Sequence, residues 1–328
     1  MVLFWVSVLA LSILLYVLLD GSDLGVGILF GLAHGGDTRS AMLASVEPAW
    51  DGNETWLVVA GVVLWGAFPA VYATLLSAFY LPIILMLAGL ILRGVAFEFR
   101  DKARRLPWVW DVAFAGGSVV AAFMQGLMVG ALAAGLPLRS GQYSGGELGW
   151  LRPFPVLCGS GLCLAYALLG ACWLVSKCEG TVRSDAYRMI PRLAVGLALV
   201  LIAVFATALA TQLPVLERWL ERPYLFVFPG IGVAAAIVLA LGIHRRWTLA
   251  PGYAVVATFL AAFATFALSF WPYIVPFSIT VGQAAAPRAS LAFMFWGEGL
   301  FVLPLMLGYT LISYRVFRGK SSPSSPRY

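Results

Sequence analysis

This chain has few charged residues for its length. Only 11% of its 328 residues are Asp, Glu, Lys or Arg, whereas 62% are hydrophobic. Soluble domains carry about 25% charged residues, so the composition excludes an ordinary soluble protein. A helix that crosses a membrane needs about 20 apolar residues. The chain has room for eight or nine such helices, and we predict a multi-pass membrane protein.

Side chains that bind metals or haem are also scarce. The two histidines, His34 and His244, lie beside polar loops. The four cysteines lie in or at the end of one apolar run and form no Cys-X-X-Cys pair; they are Cys158, Cys163, Cys172 and Cys178. Zinc and iron–sulfur sites need clusters of such ligands, and a bis-histidine haem needs imidazoles inside the membrane. We therefore expect no metal, no haem and no other cofactor site in this chain.

The sequence also lacks the signatures of nucleic-acid binding and of a signal peptide. No stretch combines a basic stripe with stacking aromatic residues, so the net charge of +6 does not indicate nucleic-acid binding. The first residues lack a basic region and a small-residue cleavage site, so we expect a retained membrane span rather than a signal peptide. We also find no soluble domain and no internal repeat.

Apolar segments predict nine membrane spans. The first runs from Val2 to Phe30. The uncharged run from Thr55 to Leu92 is long enough for two, with a break near Phe68-Pro69 or Ser77 because proline disfavours continuous helix. The others are predicted at residues 112–135, 156–175, 193–212, 225–243, 253–274 and 291–312. Residues 1–314 would form the membrane domain, and the basic, serine- and proline-rich residues 315–328 would form a disordered cytoplasmic tail.

The distribution of Lys and Arg predicts the orientation of these spans. With the N-terminus outside, fifteen of these residues fall in cytoplasmic segments, five fall outside, and Arg93 lies within a span. The cytoplasmic segments include a polar loop after span one and basic loops at residues 100–105 and 177–192. Because basic loops stay in the cytoplasm, this threefold bias indicates an outside N-terminus and a cytoplasmic C-terminus.

The first three spans place acidic residues in the cytoplasmic half of the membrane. Asp20 and Asp23 lie in the inner half of span one, Asp51 and Glu54 open span two, and Glu98 closes span three. Ionisable groups at membrane depth are costly and mark functional sites by default. The sequence therefore predicts that these carboxyl groups meet.

Three interpretations compete for this acidic cluster. The carboxyl groups could cap helices and pair with Arg93 and the loop arginines. They could bind a hard cation together with the amide of Asn53. They could relay protons, as buried carboxyl groups do in pumps and oxidases. The glycines beside them, Gly21, Gly25 and Gly27, are expected to permit close helix packing.

Three motifs resemble subunit II of cytochrome bd-type quinol oxidases. They are LDGSDLGVG at Leu19–Gly27, WDGNETWL at Trp50–Leu57 and FEFRDK at Phe97–Lys102, in matching order and spacing. The resemblance covers essentially the whole chain, and the short middle loops are most similar to the cyanide-insensitive branch. It implies an all-α integral membrane protein of about nine transmembrane helices in a bacterial cytoplasmic (inner) membrane. These helices would form two four-helix bundles plus one peripheral helix.

The resemblance also implies a function. The oxidase takes electrons from quinol and reduces dioxygen to water; haems b and b/d and the quinol site belong to a separate subunit I, with which this chain would pair. A small single-span subunit, membrane lipid and a structural quinone are further partners that the resemblance allows. The family's cytoplasmic proton path matches Trp50, Asp51, Glu98 and Lys102, with Asp23 a buried acid nearby. Trp56 matches a tryptophan associated with an oxygen route.

The chain departs from the family pattern at two of these positions. Ser22 stands where the family usually has phenylalanine, and Glu98 stands where aspartate is common; the longer reach of glutamate can alter the path. Two other functions fit the inward-facing acids. One is an ion-coupled secondary transporter, and the other is a scaffold without a proton role.

Overall fold

Most of the chain is helical in the computed structural model. It describes residues 1–100, 102–103, 105–139, 141–211, 219–317 and 319–320. Most of the predicted tail lies outside the described residues, together with Asp101 of the third motif and four basic residues counted above, Arg104, Arg218, Arg318 and Arg327.

The first half of the chain forms seven helices. They are α1 (Val2–Phe30), α2 (Gly36–Val46), α3 (Trp50–Ala67), α4 (Pro69–Ala78), α5 (Tyr80–Phe99), α6 (Pro107–Ala133) and α7 (Pro153–Lys177). Helices α3 and α4 are bent by 119° relative to each other at Phe68, which confirms the predicted break at Phe68-Pro69. Pro69 opens α4, where its missing N–H leaves no helical hydrogen bond unmade.

The described part of the second half includes six further helices and a 3₁₀ turn at Pro223–Phe226. The helices are α8 (Gly180–Ala210), α9 (Val227–His244), α10 (Ala250–Phe270), α11 (Val281–Ala284), α12 (Arg288–Met294) and α13 (Leu303–Val316). A π-helical segment, Phe295–Val302, joins α12 and α13 into one span. Within the described ranges, eight helices are long and apolar enough to cross a membrane, or nine spans if α3 and α4 count as one. The predicted all-α membrane fold is confirmed.

Two segments predicted as loops are helical. Residues 180–192 form the first turns of α8, and residues 36–46 form α2. The predictions were wrong because a charged residue ends the membrane-embedded part of a helix but not the helix itself. Arginine and lysine are good helix formers, so α8 continues beyond the hydrocarbon layer with Arg183, Arg188 and Arg192 in its early turns.

Two short hairpins lie in the connections between helices. Strand β1 (Leu138–Arg139) pairs antiparallel with β2 (Gln142–Tyr143) between α6 and α7. Strand β3 (Tyr273–Val275) pairs with β4 (Ile279–Thr280) between α10 and α11. The second hairpin lies in the apolar segment that follows α10, and the Thr280 side chain caps α11.

The helices form two groups that α7 connects. Helix α1 packs against α3 and α6, and α5 packs against α6; α8 packs against α7, and α9 packs against α10. Helix α7 contacts both α1 and α6 on one side and α8 and α10 on the other, while α12–α13 packs on the outside of α3. This arrangement agrees with two four-helix bundles plus one peripheral helix.

Side-chain contacts identify two opposite ends of the helix bundle. At one end, the Arg39 and Arg100 guanidinium groups bind the two carboxylate oxygens of Asp111 at 2.8 and 2.6 Å. At the same end, Lys177 donates to the carbonyl of Phe317. We call this end, where the basic connections meet, the basic face. At the opposite face, the Trp5 indole donates to the carbonyl of Leu291 at 3.1 Å.

Candidate functional site

Glycines allow α1 and α7 to pack in backbone contact at the level of the acidic residues. A Cβ atom added at Gly25 would lie 1.8 Å from the carbonyl oxygen of Tyr166, and one added at Gly170 would lie 2.4 Å from the Gly25 carbonyl carbon. Gly21 faces the Tyr166 ring in the same way. The predicted packing role of these glycines is confirmed. The close approach excludes lipid and buries both Asp20 and Asp23.

Arg93 of α5 holds two of the acidic side chains. Its guanidinium lies 2.7 Å from the Asp20 carboxylate, and both side chains are 0% exposed. The other terminal nitrogen of Arg93 binds Glu54 of α3, whose side chain is partly exposed. This ion-pair triad links α1, α3 and α5. The interpretation in which acids pair with Arg93 is therefore correct for Asp20 and Glu54.

Asp23 has a different partner. The Asn53 amide donates a 2.7 Å hydrogen bond to Oδ2 of Asp23, and both side chains are buried. The hydroxyl of Tyr314, on α13, donates to Oδ1 of Asn53 at 3.3 Å. Since an amide has one acceptor end and one donor end, the Tyr314 contact orients the Asn53 nitrogen toward Asp23.

Next to the triad, on the side of the opposite face, three buried polar side chains are linked by hydrogen bonds. Tyr16 lies one helical turn before Asp20 on α1, and its hydroxyl accepts a 2.7 Å hydrogen bond from Gln125 of α6. The Tyr166 hydroxyl of α7 donates to the same amide at 2.9 Å. The polar interior of the first bundle thus extends from Glu54 past Asp20 to Tyr166.

The acids of this site, two of them buried and one partly exposed, outnumber its one buried cation. Asp20, Asp23 and Glu54 supply three carboxyl groups, and Arg93 supplies one guanidinium. Within the described residues, Oδ2 of Asp20, Oδ1 of Asp23 and Nε of Arg93 have no hydrogen-bond partner. An excess of negative charge is costly in a low-dielectric interior.

Four of the predicted path residues lie at or near the basic face, away from this buried group. Glu98 and Lys102 form a 2.9 Å ion pair one helical turn apart, with side chains 67% and 72% exposed. Asp51 is exposed at the start of α3, one turn before Glu54. The Trp50 ring stacks on Phe97 with centroids 5.0 Å apart. Of the predicted path residues, only Asp23 belongs to the buried group.

Trp56 lies inside the protein. Its indole is fully buried, and its N–H donates to the Thr310 hydroxyl of α13 at 3.2 Å. The hydrogen bond fixes the ring between α3 and the last span.

Glu54 also lines a groove on the outside of the first bundle. The groove has a volume of about 370 Å³ and lies between α3 and α5. Apart from Glu54 and Trp50 its walls are apolar, formed by Leu57, Val58, Leu87, Leu90, Ile91, Gly94 and Val95. Through this groove, the Glu54 side chain is accessible from the outside of the bundle.

The described part of the chain contains no group of three His, Cys, Asp or Glu side chains placed to hold a metal ion. His34 follows α1 and His244 ends α9. The four cysteines are free thiols on or next to α7.

Comparison with known proteins identifies the family. A family model described as cytochrome bd terminal oxidase subunit II matches residues 1–317. The chain belongs to this family.

Relatives described as subunit 2 of such oxidases match this chain over nearly the whole length of both chains. The cytochrome bd ubiquinol oxidase subunit 2 of Bacillus subtilis (strain 168) is 27% identical over 98% of this chain and 97% of that one. A probable cytochrome oxidase subunit 2 of Haemophilus influenzae is 29% identical over 97% and 94% of the two chains. The cytochrome bd-I ubiquinol oxidase subunit 2 of Escherichia coli (strain K12) is 27% identical over 94% and 92%.

The fold is shared with a solved structure. A chain of the bd oxidase from Geobacillus thermodenitrificans superposes with a TM-score of 0.79 over 96% of this chain and 98% of that one, at 16% identity. A cytochrome bd subunit II is part of an oxidoreductase complex of the respiratory chain, and this one is a multi-pass protein of the bacterial inner membrane.

Sequence analysis missed part of the buried site of this cytochrome bd subunit. Arg93 and Glu54 were expected in the acidic cluster, with Arg93 as a possible partner of the acids, but neither was placed on the predicted proton path. Tyr16, Gln125 and Tyr166 lie on three different helices and carry no motif. Only the packing of α1, α6 and α7 brings them together.

Proposed function

We propose that this chain is the haem-free subunit II of a quinol:dioxygen oxidoreductase, and that it stabilises subunit I and delivers cytoplasmic protons for the reduction of dioxygen to water. Haems b and b/d and the quinol site are assigned to subunit I, since His34 and His244 lie at span ends. The observation that supports the proton role is the excess of acid over base at this site, where the buried Asp20 and Asp23 and the partly exposed Glu54 lie near the single guanidinium of Arg93.

The proposed route begins at the basic face, which the excess of Lys and Arg assigns to the cytoplasm. Asp51, Glu98 and Lys102 are exposed to water there. Asp51 precedes Glu54 by one helical turn, so a proton can pass along α3 from the surface to the triad.

The interior part of the proposed route uses the carboxyl groups of the triad and of Asp23. Arg93 keeps Glu54 and Asp20 within one ion-pair network. Asp23, held by Asn53, is the next buried carboxyl on α1. Carboxyl groups can bind and release a proton, whereas arginine stays charged and serves as a fixed counter-ion.

Trp56 is proposed to line an oxygen route toward the haems of subunit I. The buried indole of Trp56 lies between α3 and α13, where it would form an apolar wall of this route that does not face lipid.

The match to the cyanide-insensitive branch stays a prediction, as does a small third subunit. The family assignment replaces the transporter interpretation.

The test is turnover of the assembled complex in proteoliposomes. Subunit I is co-purified with this chain carrying Asp23→Asn or Asp51→Asn, and haem content, oxygen consumption and proton uptake are measured. We expect normal haem content and at least tenfold slower turnover with Asp23→Asn, because an amide cannot carry a proton. Normal turnover in both variants would contradict the proton role.

A matched variant separates this effect from a general loss of polar groups. Asp37→Asn removes a carboxyl from the first turn of α2, outside the proposed route. It is expected to leave turnover within twofold of the original protein. If wild-type chain fails to co-purify with a haem-bearing subunit, the subunit II assignment itself is wrong.

A further inference from the structure

Three arginines at the basic face make no ion pair with any residue that the structure describes. Arg183 lies in the first turn of α8, and the exposed Arg245 and Arg246 directly follow α9. The two acids near the start of α8 are bound to other cations, in the pairs Asp185–Arg188 and Glu179–Lys320. The positive charge of the three arginines is therefore left without a carboxylate partner. We call these three residues the arginine cluster.

Hydrogen bonds between α8 and the connection from α9 to α10 bring the arginine cluster together. The Arg183 guanidinium donates to the Thr248 hydroxyl at 2.8 Å. The Tyr187 hydroxyl, one turn further along α8, donates to the carbonyl of Trp247. Arg183 is therefore held beside the connection that carries the other two arginines. Since its acceptor is a neutral hydroxyl, the charge of Arg183 stays uncompensated.

The backbone of Arg246 is strained. Its φ angle of 53° is in the left-handed region, at the point where the chain leaves α9. The N–H of Trp247 closes this turn by donating to the carbonyl of Gly242 at 2.9 Å, and helix ends of this kind usually have glycine at the left-handed position. A Cβ atom makes the left-handed conformation costly, and such strain is frequent at ligand-binding sites. Arginine at this position therefore indicates a use for its side chain.

The arginine cluster lies where the polar surface of the protein meets its apolar surface. The Arg245 guanidinium lies over the Trp247 ring, 5.6 Å from the ring centroid, and tryptophan is enriched at membrane interfaces. Leu241 and Ile237 precede Arg245 by one and two turns of α9, and both side chains are exposed. In a membrane, these apolar side chains contact acyl chains, and the arginines lie at the level of the lipid headgroups.

We propose that the arginine cluster binds the phosphodiester headgroup of an anionic phospholipid, whose acyl chains lie on the exposed apolar side chains of α9. Guanidinium groups bind phosphate oxygens through paired hydrogen bonds, and basic pockets between membrane helices are typical sites for anionic headgroups. Another arginine pair at the basic face, Arg39 and Arg100, shares the carboxylate of Asp111. Because the cluster joins α8 to the end of α9, the bound lipid would hold these two helices together.

Lipid titration of the purified full-length chain tests this proposal. The chain is delipidated in detergent and titrated with phosphatidylglycerol or with zwitterionic phosphatidylcholine, and native mass spectrometry measures the dissociation constant of the first lipid bound. The test variant is Arg245→Gln/Arg246→Asn, because asparagine tolerates the left-handed backbone. Each basic residue near anionic headgroups contributes roughly fivefold to binding, so we expect the variant to bind phosphatidylglycerol roughly 25-fold more weakly. Its binding of phosphatidylcholine should not change.

Two further variants separate the cluster from charge in general and from damage to the turn. Arg139→Gln/Arg288→Gln removes the same charge from exposed positions at the opposite face, in β1 and at the start of α12, and should bind phosphatidylglycerol within twofold of the wild type. Arg245→Lys/Arg246→Lys keeps both charges and should bind within about fivefold of it. Unchanged binding by the test variant overturns the proposal, and so does an equal loss in either of these two variants.

Competition distinguishes a lipid site from a site for soluble phosphodiesters. Glycerophosphoglycerol has the headgroup of phosphatidylglycerol without its acyl chains, and at equal concentration it should not displace the bound lipid. Displacement would identify a site for soluble anions and would overturn the lipid proposal. All of these measurements use the chain without subunit I, so their outcome is independent of the proposed function.

Discussion

Arg93 stabilises the buried site by balancing the negative charge of the acids around it. It is the only fully buried cation among the described residues, and it binds acids from two other helices. Replacing a whole buried ion pair by apolar residues is often neutral, but removing one partner leaves an uncompensated charge. Loss of Arg93 therefore destabilises the triad more than loss of either acid.

The first prediction concerns this residue. Arg93→Met is expected to lower the free energy of unfolding by about 3–5 kcal/mol, measured by denaturation of the purified chain in detergent. Arg188→Met removes an exposed ion pair with Asp185 at the start of α8, and should cost no more than about 1 kcal/mol. Equal losses in both variants would show that the triad does not stabilise the bundle.

A second prediction at this scale concerns Tyr314. Tyr314→Phe removes the hydroxyl that orients the Asn53 amide, and should cost about 0.5–1.5 kcal/mol of stability. It should also slow turnover at unchanged haem content, because Asn53 is then free to turn its acceptor toward Asp23. Tyr309→Phe is the control, since the Tyr309 hydroxyl makes no hydrogen bond within the described residues. Turnover that is identical in the two variants would show that Asn53 needs no orientation.

At the scale of the helix, the contact between α1 and α7 determines whether the polar residues are buried. Gly25 and Gly170 face each other so closely that neither tolerates a Cβ atom. The packing therefore depends on residues that contribute no side-chain contacts of their own, which is common between membrane helices.

A single methyl group tests this contact. Gly25→Ala would place its Cβ 1.8 Å from a backbone oxygen, and should destabilise the chain by about 3 kcal/mol or more. Gly61→Ala, in α3, meets no heavy atom within 4 Å and should be neutral or stabilising by at most about 1 kcal/mol. Thermal unfolding of both variants measures the difference. A mild effect of Gly25→Ala would mean that α1 and α7 can separate without loss.

The helices were predictable from sequence to the extent that hydropathy determines them. The break at Phe68-Pro69 followed from proline chemistry, and the spans followed from uncharged runs. The helical residues 36–46 and 180–192 were not predictable in this way, because charge marks the membrane boundary and not the helix end.

The site was predictable only in part. Sequence placed Asp20, Asp23 and Glu54 at one depth, because direction alternates from span to span. It did not distinguish the buried carboxyl groups from that of Glu98, which is exposed, because all of them were predicted at the same depth in the membrane. The rotation of each helix about its axis determines which of these side chains face the interior of the bundle. Rotation depends on packing, as the Gly25 contact with Tyr166 shows.

At the scale of the whole molecule, the basic face collects charges from connections that are far apart in sequence. Arg39 and Arg100 share Asp111, and Arg183 reaches Thr248. The positive-inside rule predicts that this face is cytoplasmic. Alkaline phosphatase fused after Ser144 should be active, and a fusion after Thr248 should be inactive. The opposite pattern would reverse the orientation and move the start of the proposed proton route to the outside.

The last span completes a site that the first three spans begin. Thr310 and Tyr314 bind Trp56 and Asn53, more than 250 residues earlier in the chain. During synthesis, the indole N–H of Trp56 and the Oδ1 atom of Asn53 therefore lack these partners until the last span has been made. A chain that ends before residue 310 forms neither hydrogen bond.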